Sequence, residues 1–369
     1  MPIASLVVDA RLLAYNRSGI GRYLRHLYTA MAEVVGDEPP GMAPAGLRLT
    51  MLYHRSDRER ALAGLWPGSA AWTPPHHRLE RWMLAAELAR LRPQLVHAPD
   101  HVCPEPLGWR TVLTVHDLAF LRLPETHAPQ SRAYYAGLLR SVCRATRTIC
   151  VSQATRDDLL ELAGADPERV RVIYEAPDPC YRPDGPAAPA ERPYLVFTGT
   201  IEPRKNLARV LRALATLAPG RRPELRVAGA AGYRAAEVLA LPAQLGLEGD
   251  VCFLGPRPTS EVASLYRGAI ALIFPSLLEG FGLPILEAMA CGTPVITSNR
   301  SSMAEVAGDA AVLVDPEDVE SIAAAISQLM EHPSEREEWR RRGLARAAQF
   351  SWQRAARQTL DTFAEALAA

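Results

Sequence analysis

Phe274-Pro275-Ser276-Leu277-Leu278-Glu279-Gly280-Phe281-Gly282-Leu283-Pro284-Ile285-Leu286-Glu287-Ala288-Met289-Ala290-Cys291-Gly292 is the stretch whose reading decides the fold. It completes the apolar run Ala269–Phe274 and reads as a strand, a loop and a helix in succession. Pro284 suits an early helical position, where its missing N–H loses no bond, and Gly292 suits the cap at the far end. Gly280 and Gly282 let backbone approach a ligand closely. The amides from Phe281 to Leu283 point out of a helix start, where the helix dipole favours an anion. Glu279 lies in the loop and Glu287 one turn into the helix, so one carboxylate can meet hydroxyls near a bound phosphate while the other reaches a ribose. Singly, they read as a solvated loop acid and a first-turn charge; the glycines and Pro284 around them favour a site.

Working outward, strands at Tyr194–Thr198, Glu224–Ala228, Asp250–Leu254, Pro294–Thr297 and Ala311–Val314 surround this unit and alternate with helical patterns, the signature of a doubly wound parallel sheet. Ala176 to Pro193 is proline-rich and reads as a linker. Before it, the same alternation predicts strands at Ser5–Ala10, Leu47–His54, Gln94–Ala98, Thr111–Val115, Thr148–Val151 and Val170–Ile173. Helices are predicted near Gly21–Val35, Arg78–Leu91, Gln130–Ala145 and Ala154–Ala163. The expected domains are 1–180, 181–349 and a final helix, 350–369, whose stripe Leu360, Phe363, Ala364 and Leu367 is expected to cross back to the first domain.

At 369 residues, with 41 basic and 41 acidic side chains, the chain suits two α/β domains and carries no charge excess for coating nucleic acid. No apolar run is long enough to span a bilayer, and Met1-Pro2-Ile3-Ala4-Ser5 lacks the pattern of a signal peptide, so a cytoplasmic protein is expected. The six cysteines are scattered, without metal-ligand spacing, and read as reduced core thiols. Every basic residue but one is arginine, and that one is Lys205. It stands in Thr198-Gly199-Thr200-Ile201-Glu202-Pro203-Arg204-Lys205-Asn206, directly after a strand, where ligands bind in open parallel sheets. Arg204 and Lys205 together invite a diphosphate there. His116, after the strand ending at Val115, can donate to a sugar hydroxyl or a leaving oxygen; a structural histidine bonded to backbone is the alternative. Gly19 and Gly21 form a Gly-x-Gly turn that lacks the third glycine of a dinucleotide site.

In these motifs the chain resembles the retaining glycosyltransferases of family 4 (group 1), most specifically in Glu279 to Glu287 and in Gly199-Thr-Ile-Glu-Pro-Arg-Lys-Asn206. The resemblance implies the α/β GT-B fold, two facing Rossmann-like doubly wound domains with a C-terminal crossover helix. It implies a nucleoside-diphosphate sugar as co-substrate and no metal or other cofactor. By that likeness Arg204 and Lys205 would bind the diphosphate, helped by Gly199 and Thr200, and Glu287 the ribose. Glu279 with Gly280, Phe281, Gly282 and Leu283 would hold the donor sugar and its phosphate, His116 would contact that sugar, and Gly19 and Gly21 match the family's N-terminal glycine loop. Many members carry arginine where this chain has Thr200, which places more weight on Arg204 and Lys205. The particular motif is similar to bacterial mannosyltransferases of polysaccharide assembly and implies GDP-mannose as donor, with a glycan or lipid-linked glycan as acceptor. A nucleotide-sugar epimerase, a phosphorylase and a non-catalytic sugar-binding protein of the same fold stay open, while an NAD(P) oxidoreductase is disfavoured by the missing glycine fingerprint.

The stretch 76–92, His-His-Arg-Leu-Glu-Arg-Trp-Met-Leu-Ala-Ala-Glu-Leu-Ala-Arg-Leu-Arg, is basic and amphipathic. It reads either as a core-facing helix with a solvated arginine face or as a peripheral contact with an anionic membrane that carries the acceptor.

Overall fold

The computed structural model describes residues 4–14, 19–36, 42–43, 46–57, 59–127 and 137–369. Ser18 of the glycine loop and the start of the helix expected from Gln130 lie outside them. The chain forms two compact units: Met1–Leu121 with Pro129–Glu175 and Ser351–Ala369, and Arg122–Ala128 with Ala176–Phe350.

In the first unit the strands are β1 (Ala4–Asp9), β2 (Met42–Ala43), β3 (Leu47–His54), β4 (Gly68–Ala71), β5 (Leu95–Ala98), β6 (Arg110–Val115), β7 (Arg147–Cys150) and β8 (Val170–Val172). Their order is β2-β3-β1-β5-β6-β7-β8, with β4 also on β3. All pairings are parallel except the short β2–β3 contact. β5 is buried along its length, including His97, so its burial does not alternate. The helix Trp352–Ala368 belongs to this unit and packs on the helix Gly19–Val35. Its buried stripe is Trp352, Ala355, Ala356, Thr359, Leu360, Thr362, Phe363 and Ala366. Ala364, expected on that stripe, is exposed, because the helix presents the phase centred on Ala356, Thr359 and Phe363.

The second unit holds β9 (Tyr194–Thr198), β10 (Glu224–Ala228), β11 (Val251–Gly255), β12 (Ala271–Phe274), β13 (Val295–Ser298) and β14 (Val312–Val314), in the order β11-β10-β9-β12-β13-β14 and parallel throughout. The direction of winding reverses between β9 and β12, and a crevice for ligands opens at such a point. Helix Leu207–Thr216 covers the sheet through Leu207, Val210, Leu211 and Leu214, one face at helical spacing, packed against Leu195, Phe197 and Val227. The linker carries no helix or strand and joins this unit from Ala176, earlier than the expected boundary at 180. Its backbone is tied to the helix Thr259–Gly268: Ala188 N donates to Ser264 O at 2.9 Å and Arg267 Nε to Pro186 O at 2.8 Å.

All six cysteines are free thiols, but only Cys103, Cys150 and Cys291 are buried. Cys143, Cys180 and Cys252 are exposed, which corrects the expectation of core thiols; they occupy a solvent-facing helix turn, the linker and the outer face of edge strand β11.

Candidate functional site

Two loops flank the reversal point of the second unit. The loop after β9 leaves the strand through Gly199, whose φ of +124° is strained for any L side chain. It runs beside the loop after β10, with Gly199 N bonded to Ala228 O at 3.0 Å and Ile201 N to Ala230 O at 2.8 Å. The approach is so close that a Cβ on Gly229 would lie 1.8 Å from Gly199 O. Pro203, Arg204 and Lys205 then form one 3-10 turn, and Asn206 takes the left-handed conformation (φ +63°) that Asn tolerates better than most residues. The Asn206 amide donates to Pro275 O at 2.9 Å and to Pro316 O at 2.6 Å, pinning the β9 loop to the start of the β12 loop. Leu277 N donates to Arg204 O at 2.9 Å, closing the same junction from the other side.

That junction places the two cations beside Glu279. Lys205 Nζ is 2.7 and 2.8 Å from the two Glu279 carboxylate oxygens. Arg204 donates to Glu279 Oε2 at 2.8 Å, to Leu278 O at 2.8 Å and to Glu202 Oε1 at 2.9 Å. The lysine ammonium also lies 5.2 Å from the Phe274 ring centre. Burial acts to raise the pKa of Glu279, but Arg204 and Lys205 outweigh it and hold the carboxyl below its usual range. The cluster is therefore balanced, with two cations against Glu279 and Glu202. The anion that the two cations meet within the chain is Glu279, 75 residues from Arg204 and 74 from Lys205 in sequence.

Gly282, at φ +100°, caps the helix Leu283–Ala290, with Pro284 in its first turn. Of the first-turn amides, Pro284 carries no N–H and Ile285 N donates to Gly282 O at 2.9 Å. Phe281 is buried edge-on against Phe350 at 5.9 Å, which fixes the loop ahead of those amides. Ser302 Oγ donates to Glu279 O at 2.8 Å and holds the acid's backbone. Glu287 is buried and accepts from Tyr266 Oη at 3.4 Å, and the phenol is also 2.7 Å from Thr198 Oγ1. Burial and the Glu287 charge push the Tyr266 phenol well above its ordinary range, so it stays a donor. Thr200 is exposed at the mouth of the β9 loop. Tyr266, Ser302 and Gly229 are parts of this arrangement that motif reading passed over, and Asn206 closed the β9-loop motif without a role of its own.

In the first unit His116 follows β6. Its Nε2 donates to Pro99 O at 3.0 Å, its Nδ1 faces Glu175 Oε1 at 3.3 Å and its ring stands edge-on to Tyr23 at 4.9 Å. His101 answers across the same two loops, with Nε2 3.4 Å from Asp117 O and Nδ1 against the Asp100 carboxylate. Asp117 accepts from Ala119 N at 3.0 Å and shapes its own loop. Asp100 and His101, at the end of β5, were not anticipated. Gly19 and Gly21 begin the helix Gly19–Val35, Gly19 at φ +26° and Gly21 buried. At the end of β1, the guanidinium of Arg11 is fully buried between Asp9 (2.7 and 2.8 Å), Glu80 (2.7 Å) and Thr73 O (2.8 Å).

Among the described residues no cluster of three or more His, Cys, Asp or Glu side chains suits a metal ion, and no helix is long and apolar enough to cross a membrane.

The chain matches the family model described as glycosyl transferases group 1 over residues 183–346, and that of glycosyltransferase family 4 over residues 17–179. It is 35% identical over 301 residues to the O-antigen chain mannosyltransferase B of Escherichia coli, covering 78% of this chain and 77% of that protein. It is 31% identical over 283 residues to the D-inositol 3-phosphate glycosyltransferase of Acidothermus cellulolyticus, covering 71% of this chain and 63% of the relative. Among solved structures, sucrose-phosphate synthase of Thermosynechococcus elongatus superposes with a TM-score of 0.80 at 19% identity, over 99% of both chains. Anabaena HepE in complex with UDP-glucose gives 0.76 at 19% identity, over 98% and 100%. At such identities these two show the shared GT-B architecture.

Proposed function

The chain belongs to the group 1, family 4 glycosyltransferases, and from that membership we propose that it moves a hexose from a nucleoside diphosphate to a hydroxyl of a glycan or lipid-linked glycan, with retention and with GDP-mannose as donor. The observation that carries this reading is the Lys205–Arg204–Glu279 cluster at the reversal point between β9 and β12, beside the start of the helix Leu283–Ala290. The choice of mannose rests on the likeness to the O-antigen mannosyltransferase.

Retention requires two inversions or attack from the leaving-group face. A double displacement needs a carboxylate beneath the anomeric carbon. The family likeness favours same-face attack, with Glu287 bonded to Tyr266 and Glu279 left to accept from hydroxyls of the donor sugar. In that route the C–O bond to the diphosphate breaks as the acceptor oxygen bonds to the anomeric carbon, and a phosphate oxygen takes the acceptor's proton. Lys205, Arg204 and the helix-start amides, in place of a metal ion, stabilise the charge that grows on the diphosphate. Glu287 takes the ribose hydroxyls. His116 contacts the donor sugar, for which its Nε2 hydrogen must leave the Pro99 carbonyl. Thermal melts with GDP-mannose, UDP-glucose, UDP-N-acetylglucosamine and a dTDP-sugar test the donor. GDP-mannose alone is expected to raise the melting temperature, since a ligand at 100 times its Kd adds about 2.7 kcal/mol. A rise with another donor replaces mannose by that sugar, and no rise with any removes the donor site.

The helix Glu80–Leu91 supports the membrane side of the reading. It buries Glu80, Leu84, Ala85 and Leu88, and the Glu80–Arg11 ion pair fixes its rotation. The face left outside is not the plain arginine face of a core-facing helix: Leu79, Trp82 and Met83 are 52%, 56% and 41% exposed, with Arg78, Arg90 and Arg92 around them. We propose that this face rests on an anionic bilayer. Co-sedimentation with phosphatidylglycerol vesicles is expected to fall several-fold in a Trp82→Ser, Met83→Ser variant. Binding that ignores both the substitutions and the anionic lipid removes the contact.

A further inference from the structure

The cations that the proposed function assigns to the diphosphate are already satisfied. Lys205 spends its ammonium on both oxygens of Glu279, at 2.7 and 2.8 Å, and Arg204 spends Nη1 on the same carboxylate at 2.8 Å. The acid is buried, its exposure only 7%, so water does little to screen it. A diphosphate oxygen that bonds to either cation comes close to this buried carboxylate, and like charges so placed repel. The repulsion ends if the carboxylate moves off. What an intact donor offers, and a free nucleoside diphosphate lacks, is a hexose beyond the diphosphate, whose hydroxyls a carboxylate can accept from. The backbone of Glu279 is meanwhile held by Ser302, so the side chain can swing about a fixed point.

We propose that Glu279 is a resident counter-ion and that donor binding is an exchange: the diphosphate takes Lys205 and Arg204, and the displaced carboxylate takes hydroxyls of the donor sugar. Phosphate recognition and sugar recognition are thereby one event. A nucleoside diphosphate evicts the carboxylate and gives it nothing, so it binds less tightly than its contacts with the two cations would allow. Glu279 in this way selects the intact donor over the spent product and speeds product loss.

The inference rests on the diphosphate site proposed above, and the two can fail separately. Titration calorimetry with inorganic pyrophosphate, GDP, UDP, dTDP and ADP is compared across the wild type, Glu279→Gln, Glu279→Asp and Lys205→Ala, each checked for a cooperative melt. Glu279→Gln keeps the shape and removes the charge. It is expected to bind the diphosphates on the order of tenfold tighter than the wild type, while turnover of the sugar donor falls. Glu279→Asp keeps the charge and shortens the reach, so it should show a smaller gain, and it serves alone if the glutamine variant does not fold. Weaker or unchanged diphosphate binding in Glu279→Gln overturns the exchange and makes Glu279 an anchor that orients Lys205 throughout. Equal diphosphate binding by the wild type and Lys205→Ala instead overturns the site itself.

Discussion

Lys205→Ala is expected to lower kcat/KM for the sugar donor by roughly 10²–10³, the range found when one preorganised donor to developing charge is deleted. The ammonium stands on the short 3-10 turn Pro203–Lys205 and lies 5.2 Å from the Phe274 ring centre, so it needs little reorganisation when charge develops beside it. Much of the loss should fall on kcat, because the negative charge on the leaving diphosphate is greatest in the transition state. Lys205→Arg should recover only part of it, since a planar fork does not fit the place of a compact point charge. Initial rates with a saturating acceptor separate kcat from KM. A Lys205→Ala enzyme with an unchanged kcat would move the stabilisation of the leaving group elsewhere.

The second large effect concerns stability. Arg11→Ala is expected to destabilise the first unit by about 3–5 kcal/mol, because it leaves Asp9 and Glu80 as buried carboxylates with no cation between them. For a unit of this size that corresponds to a fall of roughly 6–20 °C in its melting transition. Burial alone would discourage the charge on Arg11, and the two acids more than offset it. Adding Asp9→Asn and Glu80→Gln to the same variant should restore part of the loss. Calorimetry of the single and triple variants measures this, and a single variant that melts with the wild type would show that water or rearrangement satisfies both acids.

The strand pattern was legible from short runs rich in apolar and β-branched residues set between turn residues: Leu47–His54, Tyr194–Thr198 and Glu224–Ala228 are found at the expected limits. β4 was not, because Gly-Ser-Ala-Ala has no β preference of its own and becomes a strand only by pairing with β3. The β12 loop and its helix could be read because glycine, proline and glutamate at fixed offsets describe local backbone geometry. What the offsets could not convey is which charges meet. Glu279 reaches Lys205, Glu80 reaches Arg11 and Glu175 reaches His116, each across dozens of residues, and the pairings exist only once the sheets bring the strand ends together.

The helix Trp352–Ala368 bears on how the chain is made. It contributes Ala356, Phe363 and Ala366 to the interior of the first unit, with Phe363 edge-on to His97 at 5.3 Å. A ribosome that has finished Glu175 must still synthesise the whole of Ala176–Phe350 before that helix exists. At about 5–20 residues per second this is a delay of roughly 10–40 s. Through it the first unit carries an open apolar groove, while the second can close soon after Phe350 emerges. The half that is translated first is thus completed last, and the nascent chain offers its longest-lived sticky surface to chaperones at the seat of Phe363.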